Sequence, residues 1–487
     1  MASLGGFIKQ IGHYSLSSLA VMVAGLISYP ILTRVLAVEE YGVMGAVVTL
    51  LSVFVGVSKM GLQFSIVRFW PEWNRREGGA ETFIFTLIVA MAAVTLTITG
   101  LYVGTTFLLK PLIGWTWVFF IAISSPLIVF RTIFSFNLGV LRSREMSKTI
   151  AGFEVLNTYL AMTLAILGAT TVIGGLTGYY IGLAIGEGCV MLLFSVFVLR
   201  WTKFRRSNFS WALVREVVTF GLPMGLFEMI GILFYMADRF VILWLLDERA
   251  LGYYTVAFNL GWYVNMLFTE SVERAGVPSY SNLYEEQGEE ATSDFLQKAS
   301  KFYFLFALPA VAGLAVIRED LIVLLASEKF KPGAALVPVL LAAFLLYGVR
   351  TLVGAGLFIK KQPWTMAWLN LAGVGLNLGL NLILIPMFAL QGAAVASLIG
   401  QFIMNVAFWV LGSRLIRVRL DVVSLLIHAL CASAMAVGIH YIDPGPGVLR
   451  LVVRLVCGAG IFGGLLLLLD REARELAGKV VGKLTGR

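Results

Sequence analysis

Long apolar runs alternate with short polar breaks along the whole chain, and the length of the runs selects one kind of element. A helix needs about 20 mostly apolar residues to cross the roughly 30 Å hydrocarbon core of a bilayer. Runs of that kind recur at residues 11–32, 43–66, 82–105, 113–139, 149–170, 172–199, 217–245, 251–276, 300–317, 334–358, 364–387, 391–413, 421–442 and 447–469. The pattern predicts an all-α polytopic membrane protein of about fourteen spans. Barrel strands are far shorter, and an open strand in lipid leaves its backbone groups without partners. Little basic sequence precedes the first run, and no small-residue cleavage pattern follows it. It therefore reads as a retained span rather than a signal peptide.

Composition sharpens this picture. Of 487 residues, 59% are apolar and 13% charged, against about 25% charged in soluble domains. The net charge of +9 is distributed by topology. With a cytoplasmic N-terminus, the inside breaks and the tail hold 24 Lys and Arg and the outside breaks 7, a positive-inside asymmetry that puts both termini in the cytoplasm. No separate basic domain remains for nucleic acid, so none is expected as a partner. Cys189, Cys431 and Cys457 all fall in apolar runs and read as small buried hydrophobes. His13, His428 and His440 are scattered without metal-ligand spacing, and no cofactor is expected.

The chain also repeats itself. "VEEYGVMGAVVTLL" at 38–51 is similar to "ERALGYYTVAFNLG" at 248–261, and "VIGGLTGYYIGLAIGE" at 172–187 to "MFALQGAAVASLIGQ" at 387–401. Parallel repeats of this kind build transporters with the substrate site between the lobes. The expected organisation is a six-helix lobe at 1–212, a second at 213–420, an additional helix pair at 421–470 and a basic cytoplasmic tail at 471–487. The basic stretch 200–215 is then the linker between lobes.

Four stretches carry a family resemblance: "YPILTRVLAVEEYGVMG", "FGLPMGLFEMIGILFYMADRFVILWLLDERALGYYTVA", "SEKFKPGAALVPVL" and "NLGLNLILIPMFALQGAAVASLIGQ". In this order, over about residues 5–420, the chain resembles the polysaccharide (Wzx-type) flippases of the multidrug/oligosaccharidyl-lipid/polysaccharide exporter superfamily. The resemblance implies two six-helix bundles around a central cavity. It also implies movement of a polyprenyl-diphosphate-linked oligosaccharide from the inner to the outer leaflet of a bacterial inner membrane by alternating access. Many relatives have twelve spans, so the final pair is a departure whose role the resemblance does not assign.

Ionisable residues inside spans are expensive unless paired or wetted, so each is a candidate for function. Lys59, Arg131, Arg274 and Arg350 lie in the cytoplasmic halves of spans 2, 4, 8 and 10. A diphosphate entering from the cytoplasmic leaflet would be held by such cations through charge-assisted hydrogen bonds; the alternative is that the long basic side chains snorkel to the inner interface. Ser52, Gly56, Lys59 and Gln63 share one face of span 2, and Asn259, Tyr263, Met266, Glu270 and Glu273 with Arg274 share one face of span 8. Glu270 and Glu273 are also candidates for a gate or coupling site, or they are spaced with Arg274 to neutralise one another. The stripe Asn370, Gly373, Asn377, Asn381 in span 11 serves either a polar cavity or interhelical packing.

Glu228 and Arg239 are about three turns apart on one face of span 7, with Asp238 adjacent. They are read either as an outer gate or coupling site for a proton or sodium ion, or as a structural pair. Burial raises the proton affinity of a carboxylate, so Glu154, Glu187, Glu228 and Asp238 are the candidate titrating groups. The first outer loop holds the acidic pair Glu39 and Glu40 but is too short for a glycosyltransferase site, and the other outer breaks are too short for a glycan polymerase. An enzyme is therefore not expected. The acidic stretch 284–294 is a solvated connector or a dock for glycan-assembly enzymes. The remaining alternatives are a multidrug/cation antiporter of the same superfamily, whose substrates favour an acidic aromatic cavity, a peptidoglycan-precursor flippase with the same head-group chemistry, and a non-transporting scaffold.

Overall fold

The computed structural model describes residues 4–171, 173–200, 209–445, 447–470 and 474–475; the side chains of 4–12, 14–15, 109, 112–113, 227, 267–275 and 278 lie outside that description. Half of the linker, 201–208, and nearly all of the basic tail are thus outside it as well. In chain order the helices are α1 (Leu4–Val35), α2 (Val38–Lys59), α3 (Leu62–Trp73), α4 (Gly79–Ser124), α5 (Pro126–Ser143), α6 (Ser147–Thr170), α7 (Gly175–Leu199) and α8 (Trp211–Met236). They continue as α9 (Asp238–Leu245), α10 (Glu248–Val316), α11 (Arg318–Leu325), α12 (Val337–Val353), α13 (Ala355–Ile359), α14 (Pro363–Ser413), α15 (Val422–His440) and α16 (Val448–Leu469), with a 3₁₀ turn over Glu328–Leu336. No strand occurs among the described residues.

Twelve helical stretches among the described residues are long and apolar enough to cross a membrane. One of them, α14, has 51 residues, a length of about 76 Å at 1.5 Å per residue, more than twice the hydrocarbon core. It turns at Ala389, whose φ is 49°, and makes two passes. α10 likewise turns at Gly288 (φ 79°). With the two arms of α14 and the first arm of α10 taken separately, the count reaches the fourteen that the sequence predicts.

The chain divides into two compact units, Met1–Leu243 and Trp244–Arg487. In the first, Leu62, Ile66, Phe83, Phe136, Phe194 and Val217 bring α3, α4, α5, α7 and α8 into one apolar core. α6 and α7 approach through small residues. A Cβ on Gly178 would lie 2.0 Å from the Gly168 carbonyl oxygen, one on Gly182 2.0 Å from that of Leu164, and one on Gly186 2.4 Å from the Ala161 Cα. This four-residue spacing of small side chains is how membrane helices reach backbone contact where lipid supplies no hydrophobic drive. Glu40 fastens the start of α7 to that of α2: its carboxylate accepts from the Ala37 N–H at 2.8 Å and from the Leu176 N–H at 3.2 Å, satisfying a free donor at each helix N-terminus.

In the second unit, Tyr280, Leu296, Val349 and Leu352 pack α10 against α12. The Asn stripe of the first arm of α14 is turned inward: Asn377 and Asn381 are buried, and the Asn381 Nδ2 donates to the Asn377 carbonyl oxygen at 2.8 Å and to its Oδ1 at 2.9 Å. The helix pair α15–α16 is held at both ends. At one end Lys301 Nζ lies 3.4 Å and His428 Nε2 3.2 Å from Asp470 Oδ2. At the other, Asp320 meets Arg450 at 3.3 Å and Arg454 at 3.4 Å. Asp421 caps α15, accepting from the Ser424 N–H at 3.0 Å and the Ser424 hydroxyl at 2.6 Å. That hydroxyl above all holds its carboxyl below the usual carboxylate range.

Candidate functional site: a charged cavity in the first unit

The first unit encloses a cavity of about 400 Å³. Its position follows from a break in one predicted span. The run at 43–66 is two helices, because Met60 and Gly61 adopt left-handed φ of 46° and 68°, which ends α2 at Lys59 and starts α3 at Leu62. Gly61 is pressed against α8: a Cβ there would lie 1.8 Å from the Gly221 carbonyl oxygen and 2.9 Å from the Gly225 nitrogen. Only glycine meets both demands. Ser65 adds a hydrogen bond from its hydroxyl to the Val217 carbonyl oxygen at 2.9 Å. Val217, Gly221, Gly225 and Glu228 recur every three or four residues and so share the face of α8 that meets this break.

That register delivers Glu228 to two partners. Lys59 Nζ is 3.4 Å from its Oε1, and Gln63 Nε2 donates to its Oε2 at 2.6 Å. Across the same cavity α5 presents Arg131 to Glu187 of α7. The guanidinium donates from Nε at 3.0 Å to Oε2 and from Nη2 at 2.8 Å to Oε1, a two-pronged pair of the strong kind. Arg142 lies further along α5 and lines the cavity too. Its Nη2 is 3.9 Å from Glu154, which also accepts from the Ser17 hydroxyl at 2.8 Å. Phe64, Phe130 and Phe134 supply the apolar wall. The cavity thus holds anion-binding groups whose present partners are carboxylates of the chain itself.

Of the residues singled out from sequence, Lys59, Arg131 and Glu228 come together here. Asp238 and Arg239 do not line this cavity. A turn at Ala237 ends α8, both side chains are buried, and Arg239 donates to the Thr49 hydroxyl of α2 at 3.1 Å. Arg350 belongs to the second unit, its guanidinium 4.5 Å from the Tyr347 ring centre and 5.4 Å from that of Phe408. The side chains of Glu270, Glu273 and Arg274 lie outside the described residues. Sequence reasoning names Glu187 and Glu228 as titratable, but it sets Glu228 beside Arg239 and gives Glu187 no cation. Their partners in the cavity are 56 and 169 residues away, beyond the reach of any periodicity within one helix.

This architecture is shared with solved transporters. The structure "Lipid II flippase MurJ, inward closed conformation" matches with a TM-score of 0.77 over 94% of this chain and 99% of that one, at 16% identity. An inward-facing multidrug resistance MATE family transporter of the MOP superfamily matches with a TM-score of 0.66 over 82% of this chain and 94% of that one, also at 16% identity. At such identity the likeness is one of fold. A family model described as "Polysaccharide biosynthesis protein" matches residues 31–335, and the chain belongs to that family. Among curated relatives, the "Probable low-salt glycan biosynthesis flippase Agl15" of Haloferax volcanii is 25% identical over 160 residues, 31% of this chain and 34% of its own. The "Uncharacterized membrane protein MJ1068" of Methanocaldococcus jannaschii is 26% identical over 308 residues, 57% of each. The chain thus spans about a third and just over half of the lengths of these two relatives.

Proposed function

We propose that this protein flips a polyprenyl-diphosphate-linked oligosaccharide from the cytoplasmic to the outer leaflet by alternating access, with Lys59 and Arg131 holding the diphosphate. The observation that carries the reading is the cavity: Lys59, Arg131 and Arg142 line one apolar-walled space of about 400 Å³ inside a membrane helix bundle. Cations in such a place are expensive unless they serve a polar ligand, and guanidinium and ammonium groups replace the hydration of phosphate oxygens. Membership of a polysaccharide biosynthesis family supports the oligosaccharide. The excess of Lys and Arg in alternate breaks supports cytoplasmic termini, and the family resemblance alone supports a bacterial inner membrane. The reading keeps two six-helix lobes, 1–212 and 213–420, as the moving parts.

One observation favours a second reading. Glu187, Glu228 and three phenylalanines in the same cavity are also the groups that would receive an organic cation. Translocation of a fluorescent lipid-diphosphate oligosaccharide in proteoliposomes separates the two. Arg131→Ala and Lys59→Ala at matched reconstitution abolish translocation if the cations hold the diphosphate. Retained lipid translocation would sink that reading. A cation antiporter would instead lose drug transport in Glu187→Gln and Glu228→Gln and keep it in the lysine variant.

A further inference from the structure

The two ion pairs of the cavity are built differently. Arg131 is gripped by two prongs on a buried carboxylate. Lys59 meets Glu228 through one contact at 3.4 Å, and both side chains keep a fifth to a third of their surface open, 21% and 29%. A single long contact between partly wetted groups is the weaker interaction. Glu228 also has a second holder, the Gln63 amide at 2.6 Å. The short approach fixes the amide orientation, since its oxygen in that place would repel the carboxylate. The Gln63 Oε1 is then a buried acceptor with no hydrogen-bond partner on a residue that lines the cavity. Buried acceptors without partners are rare and expensive.

We propose that Glu228 is an internal stand-in for the anionic group of the ligand. On binding, a phosphate group of the ligand displaces Glu228 from Lys59, Gln63 retains the displaced carboxylate through Nε2, and the unpartnered Gln63 Oε1, uncovered as Glu228 moves, accepts from a ligand hydroxyl. When the ligand leaves, Glu228 returns to Lys59, so the cation is never stranded and the anion is never trapped. Arg131, locked by Glu187, stays in place as the fixed part of the site. This rests on the flippase reading above and adds to it a residue that sets affinity and release.

The test is equilibrium binding of geranylgeranyl diphosphate to the full-length protein in detergent. Wild type binds, and Glu228→Gln, which removes the competing charge while keeping the shape, binds about tenfold tighter. Glu228→Asp, one methylene shorter, shifts affinity in the same direction by a smaller factor and serves if the glutamine variant does not fold. Gln63→Leu binds more weakly than wild type, because the displaced carboxylate loses its holder, and that loss vanishes when Glu228→Gln is added. Unchanged or weaker binding in both Glu228 variants overturns the stand-in role while leaving the flippase reading intact. No diphosphate binding by wild type or either variant overturns the diphosphate site itself.

Discussion

Charged side chains inside membrane helices serve opposite ends in the two units. In the first, Lys59, Glu228 and Arg131 surround about 400 Å³ of space and keep 21–31% of their side-chain surface open. In the second, Asp470 at the end of α16 ties Lys301 of α10 to His428 of α15, and the space that Lys301 and His428 line is about 10 Å³, room for roughly one water. The side chains of Lys301, Asp470 and His428 are 15%, 6% and 0% exposed. The same pairing chemistry borders open space in the first unit and is a sealed fastening in the second. The repeat makes the contrast sharper. Gly178 and Gly392 hold matching places in the similar stretches, and a Cβ on either would meet a carbonyl oxygen, of Gly168 at 2.0 Å and of Leu384 at 2.1 Å. Those stretches end in Glu187 and in Gln401, so the close packing recurs while the charge does not.

Several substitutions break or sharpen this contrast. The largest effect is expected from Arg131→Met, which strands the buried Glu187. It lowers stability by about 3 kcal/mol and abolishes translocation, whereas Arg131→Met with Glu187→Gln restores stability, measured by unfolding in micelles, but not translocation. Gly61→Ala combines strain at positive φ with a clash on Gly221 and costs about 3 kcal/mol. The control Gly78→Ala, also at positive φ but with nothing near, costs only about 1 kcal/mol. In the sealed cluster, Asp470→Asn removes the shared partner of Lys301 and His428 and costs about 2 kcal/mol, while cavity affinity for diphosphate is unchanged. The smallest effect is Asp421→Ala, about 1 kcal/mol for a lost N-cap. Because Ser424 lowers the Asp421 carboxyl below its ordinary range, the part of the cap that depends on its charge is fully present above the ordinary Asp range. It is lost as pH falls through the lowered value, which acid titration of wild type against the alanine variant measures.

Much of the fold was legible because lipid leaves so few choices. Runs of about 20 apolar residues dictate helices, and the similar stretches at 172–187 and 387–401 are legible as a repeat, though not the close contacts at Gly178 and Gly392. What stayed hidden depends on contacts between distant segments. The break at Met60 and Gly61 lies inside an unbroken apolar run, and nothing local distinguishes Gly61 from Gly56, around which the helix continues. Its necessity comes from Gly221, 160 residues away. For the same reason Lys59 and Arg131 read as isolated cations, and the choice between free charge and ion pair was beyond the sequence. Glu39 and Glu40 read as an acidic pair in a short loop, with no sign that Glu40 reaches α7.

That bond gives the first unit a fulcrum. One carboxylate pins the beginnings of α2 and α7, and Lys59 rides at the far end of α2, about 28 Å away along the axis. A swing of only about 6° around the pin carries the ammonium about 3 Å by simple leverage, enough to open a 3.4 Å contact with Glu228. Near the pin the same swing moves the backbone by a fraction of an ångström. A rod hinged at one tip amplifies small rotations at the other, where the cation is mounted.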